Sequence, residues 1–305
     1  MCEERDVLAR GPAKEATSMP RKLFCQLCPA AYAVSVAKQC AVRRLQDAAA
    51  RTPFCTRQQA LLPVVLYRHK SLIRRTLGNT RPELQENKAV NLALAAPRVN
   101  GALLRPGQVF SFWHMVGSVT AKKGYREGLT ISGGQACSDI GGGLCQMTNL
   151  IHWMVLHSPL TVAEHHHHDQ LDLFPDYHRQ VPFGTGTSVF YNYIDYRVRN
   201  DTGMAFQLVV YVTEEYLCGE LRAQRPLAVK YHIAAQNERF VRRNGVVYRE
   251  GEVWRTCVDK RTGNTLSRQL VRQNHARVLY DESFLPCVEE QQPGPAARGK
   301  GSAAP

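Results

Sequence analysis

Ser138-Asp139-Ile140-Gly141-Gly142-Gly143-Leu144-Cys145-Gln146 runs straight into Met147-Thr148-Asn149-Leu150-Ile151-His152-Trp153-Met154. Three consecutive glycines cost backbone entropy, so they mark a loop that needs unusual dihedrals or the close approach of another group. Met147, Leu150, Ile151, Met154 and Val155 then recur at the spacing of an amphipathic helix, which Pro159 ends. Cys145 falls at the first turn of that helix, where unpaired amide N–H groups and the positive end of the dipole favour a thiolate.

Around the same helix Asn149 follows Cys145 at i+4 and His152 at i+7, on a face separate from the methionines and leucines. His152 lies roughly 10 Å along the axis from the thiol, too far to take its proton, so a base must come from another segment. Glu164-His165-His166-His167-His168-Asp169 is the nearest one, internal and flanked by globular sequence. In an extended chain His166 and His168 share one side, and His165 and His167 the other. One pair then faces the thiol while the other meets solvent or a carboxylate.

Outward from this centre, Arg81 to Ala96 is read as a buried helix that stops at Pro97, with a capping box in Thr80-Arg81-Pro82-Glu83. Gln108 to Phe112 is a strand. Ser188 to Arg199 alternates as a strand with Phe190, Ile194, Tyr196 and Val198 on one face. Asn200-Asp201-Thr202-Gly203 turns into a second run, Met204 to Thr213, and Tyr216 to Arg222 adds a third. Residues 223–285 continue as β structure with hairpin turns at Asn244-Gly245 and Thr262-Gly263-Asn264. The fold class is α+β: N-terminal helices, a central buried helix after a Gly-rich loop, and mostly antiparallel β-sheet. The divisions are a disordered segment (1–20), a basic helical region (21–78, including an apolar strand or core piece at Leu61–Tyr67), a core domain (79–222), a β-rich extension (223–287) and a disordered tail (288–305).

Asn87-Lys88-Ala89-Val90-Asn91-Leu92, Gly107-Gln108-Val109-Phe110-Ser111-Phe112, Gly124-Tyr125, the Gly141–Gln146 stretch, Glu164–His168 and Asn192-Tyr193-Ile194-Asp195 closely resemble the VanW family. The resemblance extends from about Leu62 to about Tyr280 and is to the short, stand-alone members. It implies an association with glycopeptide (vancomycin) resistance and cell-wall metabolism, and names no reaction. The family pattern is Arg-His-x-His, so His166 and His168 match its two histidines and His165 replaces the arginine.

Three readings of the centre follow. In the first, Cys145 is a nucleophile, a histidine such as His166 or His168 is its base, Gln146 assists, and Glu164, Asp139, Asn149 or Asp195 orients the base. Gly141, Gly142 and Gly143 would shape an oxyanion site, with Asn149, Trp113 and Asp195 contacting substrate. This is acyl transfer or hydrolysis, and by the resemblance the substrate is a peptidoglycan stem peptide or precursor. In the second, Cys145, His166 and His168 ligate zinc. In the third there is no chemistry and no cofactor: a packed thiol, hydrogen-bonded histidines, and a module that binds peptidoglycan or a membrane surface.

The 305 residues suffice for one large domain or two small ones, and a composition of 44% hydrophobic and 21% charged residues is that of a globular protein. A net charge of +13 and a pI near 9.4 draw the chain to polyanions, including an anionic membrane surface. No nucleic-acid-binding motif accompanies that charge. The ten cysteines are scattered, and Cys25-x-x-Cys28 has no second pair at zinc-site spacing, so reduced, buried thiols are expected. No run of 18 apolar residues occurs, and Leu23–Ala33 is a weak imitation of a signal segment that runs into a basic helix at about residues 30–50. The expected location is cytoplasmic, peripheral to the membrane at most.

Overall fold

A computed structural model of the chain describes residues 28–75, 81–132, 135–167, 171–173, 175, 181–191 and 194–290. Helix α1 (Pro29–Ala49) opens with proline in its first turn, and Cys28 Sγ accepts from Ala31 N–H at 3.4 Å. Strands β1 (Thr56–Arg57) and β2 (Val64–Leu72) follow, then helix α2 (Pro82–Val99), β3 (Ala102–Leu104), β4 (Val109–Ser111) and the single-turn α3 (Phe112–Val116). The hairpin β5 (Glu127–Ser132) and β6 (Gln135–Ile140) leads into α4 (Cys145–Leu156), then β7 (Thr161–Glu164), β8 (Leu171–Asp172) and β9 (Arg197–Arg199). The chain closes with β10 (Phe206–Val212), β11 (Tyr216–Ala223), three long strands, β12 (Val229–Arg243), β13 (Val246–Asp259) and β14 (Thr265–Val278), and the short β15 (Glu289–Glu290).

The fold is α+β, and the strand pairing is mostly antiparallel. A five-stranded sheet in the order β1-β3-β10-β11-β2 carries α2 against β10 and α4 against β11 and β2. Gly219 makes the close approach possible, since a Cβ there would stand 2.7 Å from atoms of Leu150 and Met154. Leu92, Ala95, Val99, Met147, Leu150, Ile151 and Met154 meet Phe206, Leu208, Leu217 and Leu221 in one continuous core. A smaller sheet, β4-β9-β7, flanks it, and β15-β12-β13-β14-β8 forms an arm beyond it.

Several elements differ from the sequence expectation. The helix expected over 81–96 is Pro82–Val99 and runs through Pro97; its N-cap is Arg81 with no side-chain cap, and Thr80 lies outside the described residues. Ser138 to Ile140, to which the sequence reading assigns no element, end β6 and lead into the glycine loop. The strand expected over 188–199 is confined to Arg197–Arg199, because Phe190 and Ile194 pair with each other. Among the described residues of 21–78 only α1 is helical, and β2 runs through the basic Arg68-His69-Lys70 to join the core sheet. The turns at Asn244-Gly245 and Gly263 lie where expected, with φ of 49°, 75° and 75°. Residues 1–20 and the tail from 291 lie outside the described residues. No helix among the described residues is long and apolar enough to cross a membrane.

Candidate functional site

Residues 185–190 run antiparallel to α4 along the face that bears Cys145 and Asn149. Cys145 Sγ donates to the Val189 carbonyl at 3.9 Å. One turn on, Asn149 Oδ1 accepts from Thr187 N and Oγ1 at 2.6 and 2.9 Å, and the hydroxyls of Thr187 and Thr148 share a hydrogen bond. Gly186 O then meets His165 Nε2 at 2.9 Å, beside His152.

The histidines alternate. His165 stacks on His152 with centroids 4.3 Å apart, and His167 stands 6.1 Å from His165 at a steep angle. His166 turns the other way and bonds Glu164 Oε1 at 3.0 Å, while its carbonyl accepts from Ser188 N. The pair that meets α4 is therefore His165 and His167, not the pair containing His166. His168 lies outside the described residues. His152 Nδ1 bonds Tyr196 Oη at 3.1 Å, and its Nε2 is buried with no hydrogen-bond partner among the described residues. Burial first, then the neighbouring imidazoles of His165 and His167, hold its pKa well below the ordinary histidine range. Burial likewise pushes the Tyr196 phenol up. Among the described residues no three His, Cys, Asp or Glu side chains are placed to hold a metal ion.

Cys145 is half-buried, and burial pushes its thiol up despite the hydrogen bond to the Val189 carbonyl, the opposite direction from the thiolate expected at a helix start. Gln146 points elsewhere: its Nε2 donates to Ser71 Oγ and Leu72 O at 2.9 and 2.8 Å, fastening α4 to the end of β2. The glycine loop is a packing device. Gly141 and Gly143 have φ of +83° and +88°, and a Cβ on Gly142 or Gly143 would overlap the Gly128 carbonyl or the Lys88 side chain. Asn91 completes the seam, its Nδ2 donating to Arg126 O and Gly142 O at 2.9 Å each.

Asp195 and Trp113 belong to a separate joint. The Asp195 carboxylate accepts from Ser111 Oγ (2.5 Å), Trp113 N (3.1 Å), Tyr196 N (2.9 Å) and Arg197 Nε (2.8 Å). Arg197 reaches on to both Asp47 oxygens, Glu164 pairs with Arg43, and Asp195 N donates to Glu164 Oε1. Trp113 Nε1 donates to Ile194 O at 2.9 Å. This network locks α1 to α3, β7 and β9, and through Glu164 it touches His166.

Sequence reasoning passed over Lys88. It is buried, and its ammonium donates to Gln85 Oε1 at 2.6 Å. Burial, then Arg75 and Arg74, bring its pKa down to about 8. The signal was present: Lys88 falls in register with Leu84, Leu92, Ala95 and Val99 on the apolar face of α2.

A family model described as VanW like protein matches residues 87–222. The chain is similar to the vancomycin B-type resistance protein VanW of Enterococcus faecalis (strain ATCC 700802 / V583): 35% identical over 196 residues, 64% of this chain and 71% of that protein. It is also similar to the uncharacterized protein YoaR of Bacillus subtilis (strain 168), 26% identical over 115 residues, 38% of this chain and 36% of that protein. No solved structure matches.

Proposed function

Because the chain belongs to the VanW family, we propose that it acts in vancomycin resistance as an accessory protein that binds a peptidoglycan stem peptide or precursor without forming a covalent bond to it. The observation that carries this reading is the placement of Cys145: its thiol is hydrogen-bonded to the Val189 backbone carbonyl, and burial raises its pKa, which favours a packed thiol over an attacking thiolate. Recognition falls to the half-buried imidazole of His165, backed by the buried His152, and to the Thr185–Val189 segment beside them, groups suited to peptide N–H, C=O and terminal carboxylate. A second reading, cysteine-dependent acyl transfer or hydrolysis, draws on the turning of His165 and His167 toward the helix that bears Cys145.

The test is calorimetric titration of synthetic stem pentapeptides ending in D-Ala-D-Ala or D-Ala-D-lactate into the wild-type protein, Cys145→Ala and His165→Ala, with intact-mass analysis of each mixture. Binding that survives in Cys145→Ala, weakens about tenfold or more in His165→Ala, and leaves no adduct supports the accessory role. An adduct or a turnover product that disappears in Cys145→Ala assigns the nucleophile instead. Failure of the wild-type protein to bind either peptide overturns both readings.

A further inference from the structure

The arm formed by β12, β13 and β14 is longer than its support. Its strands run for 15, 14 and 14 residues, on the order of 45 Å; at one end the outer two pair with β15 and β8, and the half away from that pairing, which carries the Lys260–Gly263 turn, is the distal half. One face of the distal half is turned to the body: Arg255 donates to the carbonyls of Leu156 and Ser158 and covers the ring of Tyr231.

Among the described residues the opposite face has no such cover. Cross-strand register puts Trp254 directly opposite both Ala234 and Leu270, Thr256 opposite His232 and Arg268, and Val258 opposite Lys230, so these side chains share one surface. Leu270 is 41% exposed, and Leu266, at the strand bulge beside the distal turn, is 57% exposed. Arg268 lies 4.2 Å over the Trp254 ring. Lys260 and Arg261 occupy the exposed turn itself.

Charge on the arm is divided. The distal segments, residues 229–236 and 253–272, hold six Lys or Arg (positions 230, 255, 260, 261, 268 and 272) against one acid, Asp259. That acid is engaged in its own turn, accepting from the backbone N–H groups of Arg261 and Thr262 and the Thr262 hydroxyl. Among the described residues none of Lys230, Lys260, Arg261 and Arg268 is paired with a carboxylate. The carboxylates Glu238, Glu250 and Glu252 stand at the proximal half, the first two bonded to arginines.

We propose that this distal face is a peripheral membrane-binding surface, which lays Leu266, Leu270 and Trp254 at the headgroup boundary of an anionic phospholipid bilayer while Lys230, Lys260, Arg261 and Arg268 meet the lipid phosphates. Charge complementarity selects an anionic partner, and the exposed leucines beside a tryptophan select a bilayer over a dissolved polyanion. The assignment is independent of what the α4 face binds.

The experiment is co-sedimentation of the full chain with phosphatidylcholine vesicles, with and without about a third phosphatidylglycerol. Binding is expected to the anionic vesicles only, and to fall as salt is raised. Lys260→Glu with Arg261→Glu, both in an exposed turn, should weaken partitioning at least about tenfold while circular dichroism is unchanged. Leu266→Ser should weaken it by a smaller factor. Equal binding to neutral vesicles, or wild-type binding by the charge-reversed variant, overturns the proposal. So does retention on soluble polyphosphate equal to that on vesicles with no effect of Leu266→Ser, which would assign the face to a polymer.

Discussion

The imidazole of His165 lies on that of His152, their centroids 4.3 Å apart and their planes 20° from parallel. His152 is held well below the ordinary histidine pKa by burial and then by the neighbouring imidazoles of His165 and His167. His157, at the far end of the same helix, is pushed by burial down to about 4. Unfolded, each histidine titrates near pH 6.5. The unfolded chain therefore binds more protons below that pH, and stability falls as pH drops from about 6.5 toward 4, by at most about 1.4 kcal/mol per unit for each group. Urea denaturation at pH 7.5, 6 and 5 should show this slope, and His157→Phe should reduce it.

Lys88 has the opposite pH window. Its folded pKa of about 8 lies below the unfolded value, so its burial penalty is fully present below pH 8 and vanishes as pH rises through about 10.4. Lys88→Met should gain about 1–3 kcal/mol at pH 7 by removing a desolvated charge. The gain should shrink to near zero at pH 10.5; an equal gain at both pH values would trace the effect to packing alone.

Among the glycines, Gly142→Ala should cost about 3 kcal/mol or more, or prevent folding, because its Cβ has nowhere to go against the Gly128 carbonyl. Gly203→Ala, with nothing within 4 Å, should change the urea midpoint little. Similar midpoints for the two variants would mean the loop and β5 are not in contact.

Alkylation by iodoacetamide at pH 7 should label the exposed Cys137 well before Cys145, whose thiol is raised and shielded. Mass mapping after limited labelling reads the order. Reaction at Cys145 first would restore the thiolate that its place at the helix start favours.

Asp195→Asn should destabilise the protein by about 3–5 kcal/mol, since it leaves the largely buried Arg197 guanidinium without one of its three carboxylates, Asp195, Asp47 and Glu164. Pairing it with Arg197→Met should recover part of the loss, a coupling that a double-mutant cycle measures.

The fold was legible where side-chain period and burial agree. Met147, Leu150, Ile151 and Met154 gave α4, and the alternation of Phe206, Leu208 and Val210 gave β10. It was obscure where long-range pairing decides: Arg68, His69 and Lys70 look like a basic loop and become strand only because β11 pairs with them. The site was legible as a neighbourhood. Cys145, Asn149 and His152 do share a face, but which histidines meet it depends on the pairing of His166 with Ser188, a contact 22 residues apart that no local pattern encodes. The thiolate expectation took no account of desolvation, which raises the Cys145 pKa and which sequence spacing does not report.

The five-stranded sheet places β2 beside β11, so Val64 pairs with Ala223 and Leu72 with Tyr216. During synthesis the edge of the sheet must therefore wait, unpaired, for roughly 150 residues to be added, and α4 is made long before the strand it rests on. At common elongation rates that interval is on the order of ten seconds, ample time for a nascent apolar helix to find a chaperone instead of its own β11. The vulnerable stage in producing this protein is thus the growing chain before residue 223, not the finished molecule.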